Sequence, residues 1–191
     1  MRSTLLASAL ALAATGALAA PEDYVLDPSH SQILFSFDHF GYSTTWSMFS
    51  EIEGNITFDA ENPENSAVSA GFPVRSVFTG WEKRFEHWMS EDFLDAGEDE
   101  MVSFESTGIE VTGEKTGKIT GNLTLNGVTK PVVLDARLNA LIDNHAVRQK
   151  PALGFHATTS FDRSDFGLGL YAPAVSDEIK VQISLEALKA E

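Results

Sequence analysis

Apolar and polar residues alternate along most of this chain with a period of two, which is typical of β-strands that bury one face. In the clearest example, the residues on one face between positions 51 and 59 are Ile52, Gly54, Ile56 and Phe58. The pattern recurs in about eight or nine segments. So many amphipathic strands have to close on themselves or stack to cover their apolar faces. The alternation therefore predicts an all-β fold, with a closed antiparallel barrel favoured and a two-sheet sandwich as the alternative.

The segment from Gly121 to Leu134 is predicted to form a β-hairpin within that fold. Leu123 and Leu125 alternate with polar residues, and Asn126-Gly127 follows them. Both residues of this pair adopt a positive φ at low cost, which makes the pair a strong signal for a two-residue turn.

One segment has a helical period instead. Trp81, Phe85, Trp88 and Met89 are spaced so that they share one face of a helix. We therefore predict one α-helix over about Trp81–Met89. Thr79, three residues before Glu82, predicts a capping box at its start.

The first residues of the chain, 1–20, have the features of a secretory signal peptide. Arg2 supplies a positive charge, an apolar stretch follows, and Ala17-Leu18-Ala19 is a small-x-small cleavage pattern. We expect cleavage near Ala19 or Ala20, export to the periplasm, and one mature domain over residues 21–191. The alternative is a transmembrane anchor, but the apolar stretch is too short to span a bilayer.

The composition narrows the possible partners and chemistry. A formal net charge of −15 argues against nucleic acid and anionic membrane surfaces as partners, and no later apolar run predicts stable membrane insertion. The chain has no cysteine, which excludes disulfides and thiol chemistry. Its histidines do not occur at metal-binding spacings, and no serine lies in a G-x-S-x-G motif. We therefore predict no metal site and no catalytic residues.

Several segments in order resemble the YceI-like family of exported polyisoprenoid-binding proteins. The resemblance covers nearly the whole mature chain, and its segments are Tyr24-Val25-Leu26-Asp27-Pro28-Ser29-His30-Ser31, His39-Phe40-Gly41-Tyr42-Ser43, Gly54-Asn55-Ile56-Thr57-Phe58-Asp59, Phe104-Glu105-Ser106-Thr107, Gly121 to Leu134, Arg163-Ser164-Asp165-Phe166-Gly167 and Val175-Ser176-Asp177-Glu178-Ile179. The resemblance implies an extended eight-stranded antiparallel lipocalin-like barrel with one helix and an elongated apolar tunnel. It further implies an isoprenoid, quinone-like or fatty-acid-derived ligand, no cofactor other than such a lipid, and a homodimer as a candidate assembly, because members of the family often form dimers.

The chain departs from the family pattern where a ligand head group would be expected. Basic residues are common there in the family, whereas this chain has Thr44-Thr45-Trp46-Ser47-Met48. Phosphate groups are usually bound by Arg or Lys. A pyrophosphate head group is therefore less favoured than a quinone-like or fatty-acid-derived ligand.

The resulting hypothesis is a periplasmic protein that sequesters a long-chain amphiphile without catalysis. The residues predicted to line its tunnel are Phe35, Phe37, Ile56, Phe72, Phe104, Leu123 and Phe155. Trp46, Phe49 and Phe85 are predicted at its mouth, and His39 is predicted to donate to the head group. One alternative is an enzyme that uses His39 with Asp38 or Glu51 on a lipophilic ester or polyketide-like substrate. Another is an interaction partner of a membrane quinone or cytochrome system.

Overall fold

A computed structural model describes residues 20–191, so the predicted signal peptide, except Ala20, lies outside the described residues. The chain forms ten β-strands and one α-helix in this range. Their bounds are β1 Glu22–Leu26, β2 Gln32–His39, β3 Ser43–Phe49, β4 Glu53–Phe58, β5 Ala67–Pro73, α1 Glu82–Trp88, β6 Met101–Gly113, β7 Thr116–Leu125, β8 Val128–Ile142, β9 Ala152–Asp162 and β10 Glu178–Lys189. Short 3₁₀ turns lie at Pro63–Asn65, Val74–Ser76 and Arg163–Phe166.

Eight of the strands close into an antiparallel barrel in the order β1-β4-β5-β6-β7-β8-β9-β10, with β10 pairing back to β1. Closure leaves no open edge in this ring, which is how a barrel covers the apolar faces of its strands. The predicted closed barrel with a single helix is confirmed, and the sandwich alternative is excluded.

The hairpin of β2 and β3 lies outside the closed ring and extends one side of it. β10 pairs with β1 through residues 187–189 and with β2 through residues 180–184. β3 pairs with β2, and its other edge is bridged within the described chain at Met48, which exchanges backbone hydrogen bonds with Phe78. The segment that follows Phe78 and contains α1 packs beside this hairpin.

The predicted β7–β8 hairpin is confirmed in its register. Leu125 pairs with Val128, and the turn residues Asn126 and Gly127 have φ of 52° and 68°. The predicted capping box is wrong, because the Thr79 hydroxyl donates to the Trp81 carbonyl oxygen at 2.8 Å and makes no helix-cap bond. The helix itself is one residue shorter at each end than predicted.

Candidate functional site

The barrel encloses an elongated cavity of about 360 Å³. Its walls come from the inner faces of the barrel strands, from β2 and β3, and from α1 and the segment after it. Most of the lining side chains are aliphatic or aromatic. A volume of this size is within the range of cavities that bind small molecules.

Aromatic rings cluster where the β2–β3 hairpin meets the helix. The ring of Phe49 stacks on Phe35 with centroids 5.2 Å apart and lies 4.7 Å from that of Phe72. Trp88 of α1 packs against Phe35 at 5.7 Å and against Phe37 at 5.9 Å. The helix is thus attached to the barrel through an aromatic side chain that also lines the cavity.

Most of the residues predicted for the site lie on the cavity wall. They are Phe35, Phe37, Phe49, Ile56, Phe72, Phe104, Leu123 and Phe155. These side chains all point inward because the pleat of a strand directs every second side chain to the same face.

Trp46 was predicted at the mouth but points away from the cavity. It pairs with Ser36, whereas the neighbouring pair Phe35–Ser47 carries the inward-facing Phe35. Successive residues of a strand face opposite sides, so Trp46 is on the outer face, where it is 52% exposed. Trp46 and Phe49 are three positions apart in the same strand, so their side chains lie on opposite faces, and it is Phe49 that lines the cavity.

His39 and Phe85 also lie away from the cavity lining. His39 is exposed at the end of β2, and its ring packs edge-on against Phe40 with centroids 4.8 Å apart. The guanidinium of Arg75 covers the ring of Phe85, 5.5 Å from its centroid. The helix thus presents Trp88, rather than Phe85, to the cavity.

Several lining residues were not predicted for the site. Trp88 was identified in the helical stripe, but a stripe alone does not show which of its members faces a ligand cavity. Phe93 and Leu94 follow the helix in an irregular segment with no periodic signal.

Arg163 is the third kind of unpredicted residue, a buried cation on the cavity wall. Inward residues of β9 include Phe155, Ala157, Thr159 and Phe161, and Arg163 continues this odd-numbered series just after the strand ends. The alternation therefore contained a signal for Arg163.

The Arg163 guanidinium is held by backbone carbonyl groups of the loop that follows it. Nε donates to Ser176 O at 3.0 Å, and Nη2 donates to Val175 O at 2.9 Å. Nη1 donates to Leu168 O and, at 2.9 Å, to Leu170 O. Burial lowers the pKa of Arg163, while the charge of Asp177 acts in the opposite direction. The group nevertheless stays charged, because arginine is not deprotonated in proteins.

The other ionisable residues that line the cavity, within residues 20–191, are Glu114 and Lys115. Both are exposed in the β6–β7 turn, at a distance along the strands from the aromatic cluster. In the same range, no three His, Asp or Glu side chains are grouped so that they could hold a metal ion. No helix in the described part of the chain is both long and apolar enough to cross a membrane.

Solved structures with this fold come from several bacteria. BcnA of Burkholderia cenocepacia superposes with a TM-score of 0.75 at 19% identity, covering 84% of this chain and 98% of its own. The YCEI protein of Campylobacter jejuni has a TM-score of 0.72 at 28% identity, covering 81% and 90%. A polyisoprenoid binding domain of Saccharophagus degradans has a TM-score of 0.63 at 14% identity, covering 87% and 98%.

Sequence relatives match over nearly their full length. A UPF0312 protein of Azotobacter vinelandii is 37% identical over 192 residues, and one of Ectopseudomonas mendocina is 35% identical over 191 residues, with 99% of both chains covered in each case. The model of the YceI-like domain matches residues 24–187. The closed barrel, its apolar cavity and these matches agree, and the chain belongs to the YceI-like family.

Proposed function

We propose that this protein is an exported carrier that holds one long-chain amphiphile in the barrel and catalyses no reaction. The observation that carries the proposal is the apolar cavity of about 360 Å³ inside the barrel. Transfer of a hydrocarbon chain from water to such a lining is worth about 0.8 kcal/mol per CH₂ group. The wall can therefore hold a lipid tail with few polar contacts.

The ligand class we propose is an isoprenoid, quinone-like or fatty-acid-derived molecule. The Saccharophagus degradans neighbour is a polyisoprenoid binding domain. At 14% identity it supports the fold alone, so the proposal for this chain depends on its own cavity lining. The flat rings of Phe35, Phe49 and Phe72 would suit planar or unsaturated groups better than saturated chains alone.

The placement of the polar residues favours binding over the enzymatic alternative. That alternative needs His39 and a carboxylate to converge on a substrate. His39 is exposed, and the Asp38 carboxylate accepts a hydrogen bond from the Gly41 backbone N–H at 2.6 Å. Neither residue is among those that line the cavity.

The surface beside β3 supports a protein–protein contact, for which we propose a second copy of this chain. Trp46 and Phe78 are 52% and 66% exposed there. The β3 sequence carries no charged residue, which is unusual for the surface of a chain with a net charge of −15. The alternative occupant, a membrane quinone or cytochrome protein, would be indicated by a monomer that binds such a protein after its lipid has been extracted.

Native mass spectrometry of the protein purified from the periplasm of its own source tests the carrier function. We expect an added mass of lipid size and a mature chain that begins at Ala20 or Pro21. Repeated recovery of lipid-free protein that takes up no added fatty acid or quinone would contradict the proposal. A cytoplasmic full-length chain would contradict the localisation.

Two matched variants test whether the lipid is bound inside the cavity. Ala157 lines the cavity, whereas the next residue, Thr158, is exposed on the outer face of the same strand. Ala157→Phe fills cavity volume and is expected to lose the lipid mass. Thr158→Phe adds an aromatic ring outside and is expected to keep it.

A further inference from the structure

We infer that Arg163 is the head-group anchor of the cavity and that it selects amphiphiles with an anionic oxygen head group, of which a carboxylate is the simplest. This inference rests on the proposed carrier function and adds to it the charge of the ligand's head group. The first observation is the position of Arg163 on the cavity wall with only 7% of its surface exposed. A cation in such a place is costly unless its charge is compensated.

The hydrogen bonds of the Arg163 guanidinium leave one of its N–H donors unused. A guanidinium has five N–H donors. Four bonds go to the carbonyl oxygens of Ser176, Leu168, Leu170 and Val175. The remaining N–H, on Nη2, has no acceptor among the described residues.

The charge of Arg163 also lacks a direct partner. No carboxylate oxygen of residues 20–191 lies within 4.0 Å of its guanidinium. The Asp177 carboxylate is close enough to act on it electrostatically, but it accepts hydrogen bonds from Ser164 N at 2.9 Å and Ser164 Oγ at 2.6 Å. The carbonyl groups supply partial charges only, so an anionic ligand would complete the compensation.

The cavity around Arg163 is suited to one end of an amphiphile. Phe161 and Ile179, which pair across β9 and β10, lie beside it on the wall, as do Leu168 and Val175 of the loop that it holds. A tail extending from this point along the barrel would reach Phe104 and Leu123 and then Phe155. A single cation matches a single carboxylate, whereas a pyrophosphate usually needs several cationic groups.

A pair of ligands with the same tail tests the anchor on the unmodified protein. cis-Parinaric acid and its methyl ester differ in the carboxylate, and their fluorescence reports binding. At pH 8 we expect the acid to bind about tenfold more tightly or better, which is the size of effect typical of a hydrogen bond to a charged group. Equal affinities, or tighter binding of the more apolar ester, would overturn the inference and leave the carrier function intact. Failure of both ligands to bind would contradict the carrier function as well.

Two variants test whether the preference for the acid over the ester depends on Arg163. Arg163→Gln is expected to reduce the acid-to-ester preference to about one, with the ester affinity nearly unchanged. Lys180 is the matched control, because it lies next to the cavity-lining Ile179 but its side chain is 71% exposed on the outer face. Lys180→Met is expected to keep the preference; loss of it in this variant would indicate a general charge effect and overturn the anchor.

Nuclear magnetic resonance provides the same test if Arg163→Gln does not fold, since that variant also loses the bonds to the loop. In the wild-type protein, the Arg163 Nε–H resonance is expected to shift when the acid is added to saturation. The ester should leave it nearly unchanged. An Arg163 resonance that responds equally to both ligands would overturn the inference.

Discussion

Asp27 is a buried carboxylate whose contacts make it a structural residue. Its oxygens accept hydrogen bonds from the Ser29 backbone and hydroxyl groups, and His30 Nδ1 lies 3.1 Å away. The Ser29 hydroxyl has the largest effect, and together these groups lower the pKa of Asp27 to about 2. The Ser29 hydroxyl and the Asp27 carboxylate both contact Nδ1 of His30, whereas a catalytic triad needs them on opposite ring nitrogens, so this group is not arranged as a triad.

The lowered pKa of Asp27 predicts how stability depends on pH. A carboxylate with a depressed pKa stabilises the fold fully above its unfolded value of 3.8 and loses this contribution as the pH falls through about 2. We expect Asp27→Asn to lower the free energy of unfolding by about 1–2 kcal/mol at pH 7, with the difference shrinking between pH 4 and pH 2. Urea unfolding followed over this range is the measurement. A difference that stays constant with pH would contradict the electrostatic explanation.

Gly121 is required by a close approach inside the barrel rather than by its backbone angles. A Cβ atom there would lie 2.2 Å from Cζ of Phe104 and 2.6 Å from the carbonyl oxygen of Glu105. Inward glycines are often interpreted as a sign of empty space, but here the Phe104 ring occupies it.

Gly121→Ala is therefore expected to destabilise the protein by about 1–3 kcal/mol, because rotation of the Phe104 ring relieves one clash and not the backbone one. Gly108→Ala is the control, since a Cβ at Gly108 meets nothing within 4 Å. Thermal unfolding compares the two variants. Equal melting temperatures would show that the Phe104 contact can be rearranged at no cost.

At the scale of elements, α1 completes the cavity wall where the β2–β3 hairpin leaves the ring. Trp88 is the contact residue, while Trp81 at the start of the helix is 59% exposed. The Arg84 guanidinium donates to the Thr79 carbonyl oxygen at 2.9 Å and fixes the first turn of the helix. Helix and hairpin thus share one aromatic contact surface.

This arrangement predicts a difference among the three tryptophans of the chain. A fatty acid brominated on its tail quenches tryptophan emission on contact. We expect it to quench the wild-type protein and to quench a Trp88→Phe variant much less. Trp46→Phe and Trp81→Phe should retain the quenching, because both residues are more than half exposed. Quenching that depends on Trp46 or Trp81 would place the ligand outside the barrel.

At the scale of the whole molecule, the closed ring removes every barrel edge, but the outer edge of β3 is bridged at Met48 alone among the described residues. Met48 directs its backbone N–H and carbonyl groups toward Phe78. In a strand, the groups of every second residue point the same way, so those of Trp46 and Thr44 also face outward. An uncharged open edge of this kind favours pairing with another strand.

We expect the protein to be a dimer at micromolar concentration and Trp46→Lys to shift it toward the monomer. A lysine on an edge strand disfavours strand pairing. Val133→Lys is the control, because Val133 is 43% exposed on the outer face of β8 within the ring. Size-exclusion chromatography with light scattering measures both masses. A monomeric wild-type protein would contradict the proposed dimer.

The sequence by itself determined the barrel class, the β7–β8 turn and the inward side of most strands. These properties are local, because the pleat of a strand and the φ preferences of Asn126-Gly127 depend on neighbouring residues only. The ligand-binding role of the inward residues stays a prediction.

Tertiary pairing alone decided which residues meet. It paired one end of β10 with β1 and the other end with β2. It also placed the Phe104 ring over Gly121 and turned Trp88, rather than Phe85, toward the cavity. It also left His39 at the surface and buried Arg163, although the alternation of β9 pointed to Arg163. Such contacts depend on the register between strands far apart in the chain, and a period-two pattern is the same for every register that preserves the inward face.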